Sequence, residues 1–376
     1  MTKEKVLIAG SSRTPIGIYD GKLKSFGEPA LAVAAVCDVL KKTKLNGEDI
    51  DEIVIGVAKQ TSSPSNCARY IGLAADVPEK VPAYTVQRQG ASGLQAILNG
   101  YMKIKAGSAD VILAGGTESM SQIPYEIQNA RYDFSPDKIV TDPIPAMVAG
   151  AQPVKKYGKL TIQGINEKIA QTHGYTSEQQ SVCSAESLAR AAASKLDEEL
   201  IPMEVKVKKA SMVVDADELY ARTENVAGAA DAAAMCVLVS ETAAQKIQTP
   251  VLAELVSIGM SAGDPAGEGM VGAEAIRKAL AKAGKTAADM DMIEINEITA
   301  AQTLASKEVL QLPAEEIAHK VNVYGGALAT GNPWGASGAI ELHRLLHGLK
   351  AAGKTWGLVV CGAEGGQALA AVVKMR

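Results

Sequence analysis

The chain has 376 residues, 47% apolar and 21% charged, and it is rich in glycine (35) while holding only 2 Phe and 2 Trp. That is too long for one ordinary core and points to two domains or a duplicated unit, with small residues at helix–sheet contacts rather than disorder. The formal charge is -4 with Lys and Arg scattered, which excludes the basic stripe of a nucleic-acid binder, and no run of about 18 apolar residues suggests a membrane span.

In chain order, M-T-K-E-K-V-L-I-A-G passes from a charged start into a first strand near Val6, an apolar run too short for a secretory signal. A cytoplasmic location is expected. After R-T-P-I-G at 13–17, D-I-D-E-I-V-I-G-V-A-K-Q at 49–60 reads as a strand. Next, V-Q-R-Q-G-A-S-G-L-Q-A-I at 86–97 is a glycine-rich turn opening a buried helix; the helix closes at Gly107, and a β-branched strand runs through G-G to Glu118.

Residues 119–225 break this rhythm. S-P-D-K-I-V-T-D-P-I-P is loop-like and T-S-E-Q-Q-S-V-C-S-A-E-S-L-A-R-A-A-A-S-K-L is a capped helix, so the segment reads as a loop or lid insertion beyond a strand end, where α/β proteins place ligands. Residues 226–250 complete the first half.

A second half, 251–376, starts with a strand near Val251 and repeats the pattern. D-M-D-M-I-E-I-N-E-I-T-A-A-Q at 289–302 matches 49–60, and G-A-S-G at 335–338 opens a helix that closes at Gly353 before a strand ending at Glu364. A recurring pattern means a recurring structural unit. Two α/β halves follow, with the G-A-S-G helices back to back between two sheets in a five-layer α-β-α-β-α sandwich. The alternative is a pair of independent doubly wound domains with coincidental turns.

The arrangement resembles the thiolase superfamily over nearly the whole chain, through R-T-P-I-G, G-G-T-E-S-M-S-Q-I-P-Y at 115–125, N-E-I-T-A at 296–300, G-G-A-L-A-T-G-N-P-W-G-A-S-G at 325–338, and Cys361 before a glycine-rich tail. The resemblance implies a loop cysteine that attacks an acyl thioester, a Gly-His-Pro histidine that lowers its pKa, an Asn that helps form an oxyanion hole, and a late Cys that moves a proton.

The carry-over is partial. Gly90 occupies the nucleophile position and Asn332 that of the histidine, while Asn296 and Cys361 match. Ile298 and Thr299 replace the family's Ala-Phe, Ala227 replaces a Ser, and Thr161, Ile162 and Gln163 replace the lid's His-Met-Gly. D-E-L-Y-A-R-T-E-N-V-A-G is shorter than the family's segment, and the tail C-G-A-E-G-G carries Glu364 as an extra residue. Catalytic candidates are therefore Cys361, Asn296 and Asn332; Ala227, Gly228, Thr299 and Ala363 fall on the substrate side.

A histidine that activates a cysteine has no purpose once the cysteine is gone, so the two losses read as coordinated. An engineered inactivation would not also alter the Asn loop and the lid. Deleting a nucleophile costs on the order of 10⁶ in rate, which argues against an ordinary acetyl-CoA acetyltransferase.

The preferred reading is a non-thiolytic subunit of an acyl-CoA-handling complex in fatty-acid or ketoacyl metabolism. It would be a homodimer or tetramer, or a hetero-oligomer with an active thiolase or a zinc-ribbon/OB-fold protein. The alternative is an enzyme of Claisen- or aldol-type carbon–carbon chemistry without a Cys nucleophile. No cofactor is expected, coenzyme A entering only as a substrate moiety.

Asn296 also fits a loop amide tying its own backbone, Cys361 a small core residue, and Tyr324 and Glu364 packing or rim residues. Cys37, Cys67, Cys183 and Cys236 read as core, and the five cysteines, odd in number and without C-x-x-C spacing, argue against a disulfide framework or a zinc site. His343 and His347, at i, i+4, lack a third ligand in view and read as surface or interface residues, so no metal is expected.

Overall fold

Along the strand Val111–Ser119, Ile112 and Ala114 join one apolar cluster while Val111 and Leu113 join another. A strand buried on both faces needs a layer on each side. The computed structural model, which describes residues 4–128, 130–131, 139–194, 199–207, 210–220 and 225–376, supplies both.

Nine strands lie along one sheet: β1 (Val6–Arg13), β2 (Glu52–Gly56), β3 (Ala83–Val86), β4 (Val111–Ser119), β5 (Ala230–Ser240), β6 (Ala253–Ala262), β7 (Met292–Ile295), β8 (Trp356–Ala363) and β9 (Gln367–Met375). Their order is β7-β8-β9-β6-β1-β5-β4-β2-β3, and the short strand Gly17–Ile18 on β5 makes it ten-stranded. The duplication is visible in this order, since β1-β5-β4-β2 repeats as β6-β9-β8-β7. Each half has the same parallel pair, β2 with β4 and β7 with β8. The two expected sheets are joined edge to edge where β1 meets β6 through Leu7↔Glu254 and Ile8↔Ala253.

Helices α1 (Glu28–Thr43) and α3 (Ala273–Ala283) cover the outer faces, and α2 (Ser92–Lys105) and α4 (Trp334–Ala351) lie between the halves. The central core holds Leu94 and Ile97 of α2, Leu342 and Leu345 of α4, and inward residues of both halves such as Ile112 and Val359. Separate outer cores form where α1 meets Leu113 and Val237 and where α3 meets Leu358 and Val372. This is the five-layer α/β sandwich expected from the repeat.

The inner helices come close because of their glycines. A Cβ at Gly93 would lie 2.6 Å from the Gly335 carbonyl oxygen, and one at Gly338 would lie 2.5 Å from Leu94 Cβ, both inside contact distance.

Between β4 and β5 the segment carries short hairpins and helices, among them Ser177–Ala193, which Thr176 and Gln179 start with a reciprocal capping box. Residues 135–138 of the predicted loop, Lys195 and Leu196 of the predicted helix, and 221–224 of the shortened segment lie outside the described residues. Arg13 of the R-T-P-I-G motif, 1% exposed, donates from its two terminal nitrogens to the two carboxylate oxygens of Asp217 in that shortened segment, at 2.7 and 3.0 Å. Arg344 adds a third contact at 3.1 Å. Burial alone would raise the Asp217 pKa, but the two guanidinium groups bring it to about 2.

Cys67, Cys183, Cys236 and Cys361 are buried as expected, whereas Cys37 is exposed, on the solvent side of α1. Among the described residues no helix is long and apolar enough to cross a membrane.

Several carboxyl groups are buried away from water. Burial raises Glu294 to about 8 against the partial relief given by Arg344, and burial raises Glu118 to about 7. Between the ordinary value of 4.5 and these folded values the folded chain keeps protons that the unfolded chain has lost, so stability falls as pH rises through that window. Glu294→Gln, neutral throughout, is expected to lose less stability between pH 5 and pH 8 than the native chain, by on the order of 2–4 kcal/mol. Urea unfolding at the two pH values measures this, and an equal decline in both proteins would refute it.

Candidate active site

The turn after β3 is held by its own side chains. Gln89 takes a left-handed φ of 46°, and Ser92 Oγ accepts the Arg88 N–H at 2.8 Å while donating to the Gln89 carbonyl at 2.6 Å. This aims the Gly90 N–H inward at Glu364, whose Oε2 accepts it at 3.1 Å. A Cβ placed on Gly90 would stand 3.4 Å from that oxygen, 3.7 Å from the Gly362 carbonyl oxygen and 3.9 Å from Trp334 Cδ1. A cysteine side chain there would begin in contact with a carboxyl group.

The same bond occurs at the equivalent place in the other half. Gly335, first residue of the second G-A-S-G, donates its N–H to Glu118 Oε2 at 2.8 Å, and Glu118 also accepts from Ala58 at 2.8 Å and Lys59 at 3.2 Å. Each half thus ends its repeat on a Glu that holds the first amide of the other half's G-A-S-G turn. Sequence reading missed this role of Glu118; the signal was the Glu that closes both copies of the repeat. Glu364 is less satisfied, since its Oε1 has no partner among the described residues and burial raises its pKa.

Asn296, Asn332 and Cys361 do converge. Asn296 is placed by its own N–H on the Val360 carbonyl at 2.9 Å. Its Nδ2 donates to Asn332 Oδ1 at 3.4 Å and Cys361 Sγ at 3.6 Å, while Cys361 reaches the Gly90 carbonyl at 3.5 Å. Asn332 Oδ1 also accepts from Ser337, and the Asn332 N–H is held by the Gly228 carbonyl at 2.8 Å.

The amide that would serve an oxyanion is therefore spent on neighbouring side chains, and Asn296 Oδ1 is buried with no hydrogen-bond partner among the described residues. Cys361 is fully buried, and desolvation followed by the nearby Glu341 pushes its pKa well up. A thiolate is disfavoured there, as it is for most thiols taken out of water without a cation.

Beside this cluster lies an apolar cavity of about 220 Å3. Ile144, Val148 and Ile162 of the inserted segment face Ala227, Gly228, Asn332 and Trp334 across it. Of the expected substrate-side residues, Ala227 and Gly228 line this cavity. Thr299 and Ala363 do not; Thr299 caps the helix Ala300–Val309 by accepting the Gln302 N–H at 3.1 Å, and Ala363 pairs with Gln367 inside the core.

Gly90, Cys361 and Glu364 are also absent from the cavity lining. Trp334, which sequence reading passed over, touches both regions, since it lines the cavity and its ring edge faces the Gly90 position. Tyr324 lies apart, beside Arg13, Asp217 and Arg344.

Residues 6–241 match the family described as thiolase, N-terminal domain, and residues 249–375 match thiolase, C-terminal domain. The chain is 33% identical over 401 aligned residues to an acetyl-CoA acetyltransferase of Syntrophomonas wolfei, with 100% of each chain covered. It is similar in structure to the acetyl-CoA acetyltransferase of Bacillus anthracis, with a TM-score of 0.92 and 29% identity over 100% of this chain and 99% of that one. It is also similar to human mitochondrial 3-ketoacyl-CoA thiolase, with a TM-score of 0.91 and 31% identity over 100% of both chains.

The unequal satisfaction of the two carboxyl groups has a measurable consequence. Glu364→Ala leaves one buried amide unpaired and is expected to cost about 1–3 kcal/mol. Glu118→Ala strands three amides and is expected to cost more. Equilibrium unfolding of both variants tests the order, and equal losses would contradict the unequal satisfaction of the two carboxyl groups.

Proposed function

The chain belongs to the thiolase family, and from that premise we propose that it is a non-thiolytic member, a subunit that keeps the scaffold for handling acyl thioesters without forming an acyl-cysteine. The observation that carries this reading is the bond from Gly90 to Glu364. In thiolysis the turn must hold a sulfur nucleophile with an activating base beside it. Here the turn has no side chain, the neighbouring Asn332 cannot exchange a proton near neutral pH, and the group facing the Gly90 position is a buried carboxyl, not a cation that would stabilise a thiolate. The site has taken the form of its counterpart in the other half, where Gly335 and Glu118 serve only to join helix to strand.

The apolar cavity supports the acyl-thioester part of the reading. Its walls suit an apolar chain or the arm of a coenzyme A thioester, a substrate moiety rather than a cofactor, entering past the inserted segment and ending at Trp334. The edge strand β3, next to the Gly90 turn, supports assembly with a second copy or with an active relative by extension of the sheet. The shortened segment that includes Asp217 favours a partner that completes the coenzyme surface.

A second reading, carbon–carbon bond chemistry of the Claisen or aldol type, rests on the convergence of Asn296, Asn332 and Cys361 with the unpartnered oxygens of Asn296 and Glu364. It requires those amides to release their present partners when substrate arrives.

With acetyl-CoA or acetoacetyl-CoA plus coenzyme A, the purified chain is expected to give no thiolysis product and no acyl adduct by intact-protein mass spectrometry. Gly90→Cys alone is expected to stay inactive, with a thiol slow to react with iodoacetamide, because no base accompanies it and Glu364 stands beside it. An acyl group trapped on Cys361 would overturn the proposal, and turnover of 3-hydroxyacyl thioesters without an adduct would favour the second reading.

A further inference from the structure

On α4, His343 and His347 stand one helical turn apart on one face, with ring centroids 4.2 Å apart. Glu199, from the inserted segment, closes on them, so that among the described residues these three side chains bring their ligand atoms within 4.8 Å of one another. Glu199 Oε1 lies 2.8 Å from His347 Nδ1 and Oε2 lies 3.7 Å from His343 Nε2. The third ligand was invisible in sequence because it comes from another element. A surface reading does not hold for His343, which is 1% exposed.

Two atoms of this group have no hydrogen-bond partner among the described residues. His343 Nε2 and Glu199 Oε2 are both buried and face each other at 3.7 Å, beyond hydrogen-bond distance. Buried polar atoms are nearly always paired, so an unpaired donor–acceptor set with a common focus asks for a ligand. The other nitrogen, His343 Nδ1, is 3.0 Å from Ser11 Oγ, the outer hydrogen bond that fixes the orientation of a metal-binding imidazole.

We propose that Glu199, His343 and His347 form a transition-metal site, best suited to zinc. Two imidazoles and one carboxylate with a fourth position open to water is a zinc donor set, whereas calcium and magnesium prefer oxygen ligands throughout. Tetrahedral zinc holds its ligand atoms about 3.3 Å apart, so small rotations of His347 and Glu199, each only partly buried, close the site.

The bound ion would clamp the inserted segment to the helix that begins at Trp334, the residue between the cavity and the Gly90 turn. The cations on this side of the molecule are themselves paired: Arg13 and Arg344 share Asp217, and Lys42 pairs with Asp38.

The full chain, stripped with a chelator and dialysed, is titrated with zinc chloride by calorimetry, and metal content is measured after desalting. About one ion per chain with a raised melting temperature is expected, and cobalt(II) should give the visible bands of a tetrahedral site. His347→Ala and Glu199→Gln, which spare the deeply buried His343, are each expected to weaken binding about tenfold or more while the metal-free melting temperature stays close to that of the native chain. Absence of zinc binding by the native chain would overturn the proposal, as would unchanged affinity in both variants, which would place the ion elsewhere, for example at His173.

Discussion

Two buried carboxyl groups at the centre of the molecule set the terms for everything around them. Glu118 and Glu364 each end a strand of one half and take the first amide of the G-A-S-G turn in the other, at 2.8 and 3.1 Å. Helix N-termini leave amides without intrahelical partners, and a carboxyl there satisfies both the hydrogen bond and the dipole. Because the exchange is reciprocal, it pins the two inner helices against each other at a separation that glycine alone permits. The central core, the crossing of α2 and α4, and the geometry of the Gly90 turn follow from it.

That constraint explains why the turn persists without a nucleophile. A glycine-rich bend with a left-handed residue before it is the geometry of a reactive loop, and in this chain it serves as an attachment point. The side chains that would do chemistry in a relative are bonded to each other: Asn296 to Asn332 and Cys361, and Cys361 to the Gly90 carbonyl. These contacts hold the cluster together, while Asn296 Oδ1 and Glu364 Oε1 have no hydrogen-bond partner among the described residues.

Much of this was legible in the residues. Repetition of G-A-S-G and of the strand patterns gave the duplicated sandwich, because burial on both faces and helix spacing leave a direct trace in sequence. The alignment of Gly90, Asn296, Asn332 and Cys361 gave the cluster. What sequence could not supply was direction. Thr299 and Ala363 lie near site residues in the chain, yet Thr299 turns to cap a helix and Ala363 fills the central core on the same face as Cys361. Trp334 reads as a core aromatic until its two neighbourhoods are seen together. Cys37 sits in an apolar helical run yet looks out to solvent, a matter of a fraction of a helical turn. Glu199 meets two histidines far along the chain only through tertiary packing.

The seam between the halves bears on how the molecule is made. β1 has no strand beside it from its own neighbourhood in sequence; its partners are β5 and β6, at Ala234–Ser240 and Ala253–Glu254. During synthesis, therefore, β1 emerges with both edges bare; one is paired only when β5 follows the lid, and the other only when β6 follows in turn. Long-range pairing of this kind slows folding and exposes strand edges meanwhile. A chain built this way depends on the early α1 layer to shelter that strand, which makes the amino-terminal segment the point at which its assembly is most vulnerable to aggregation.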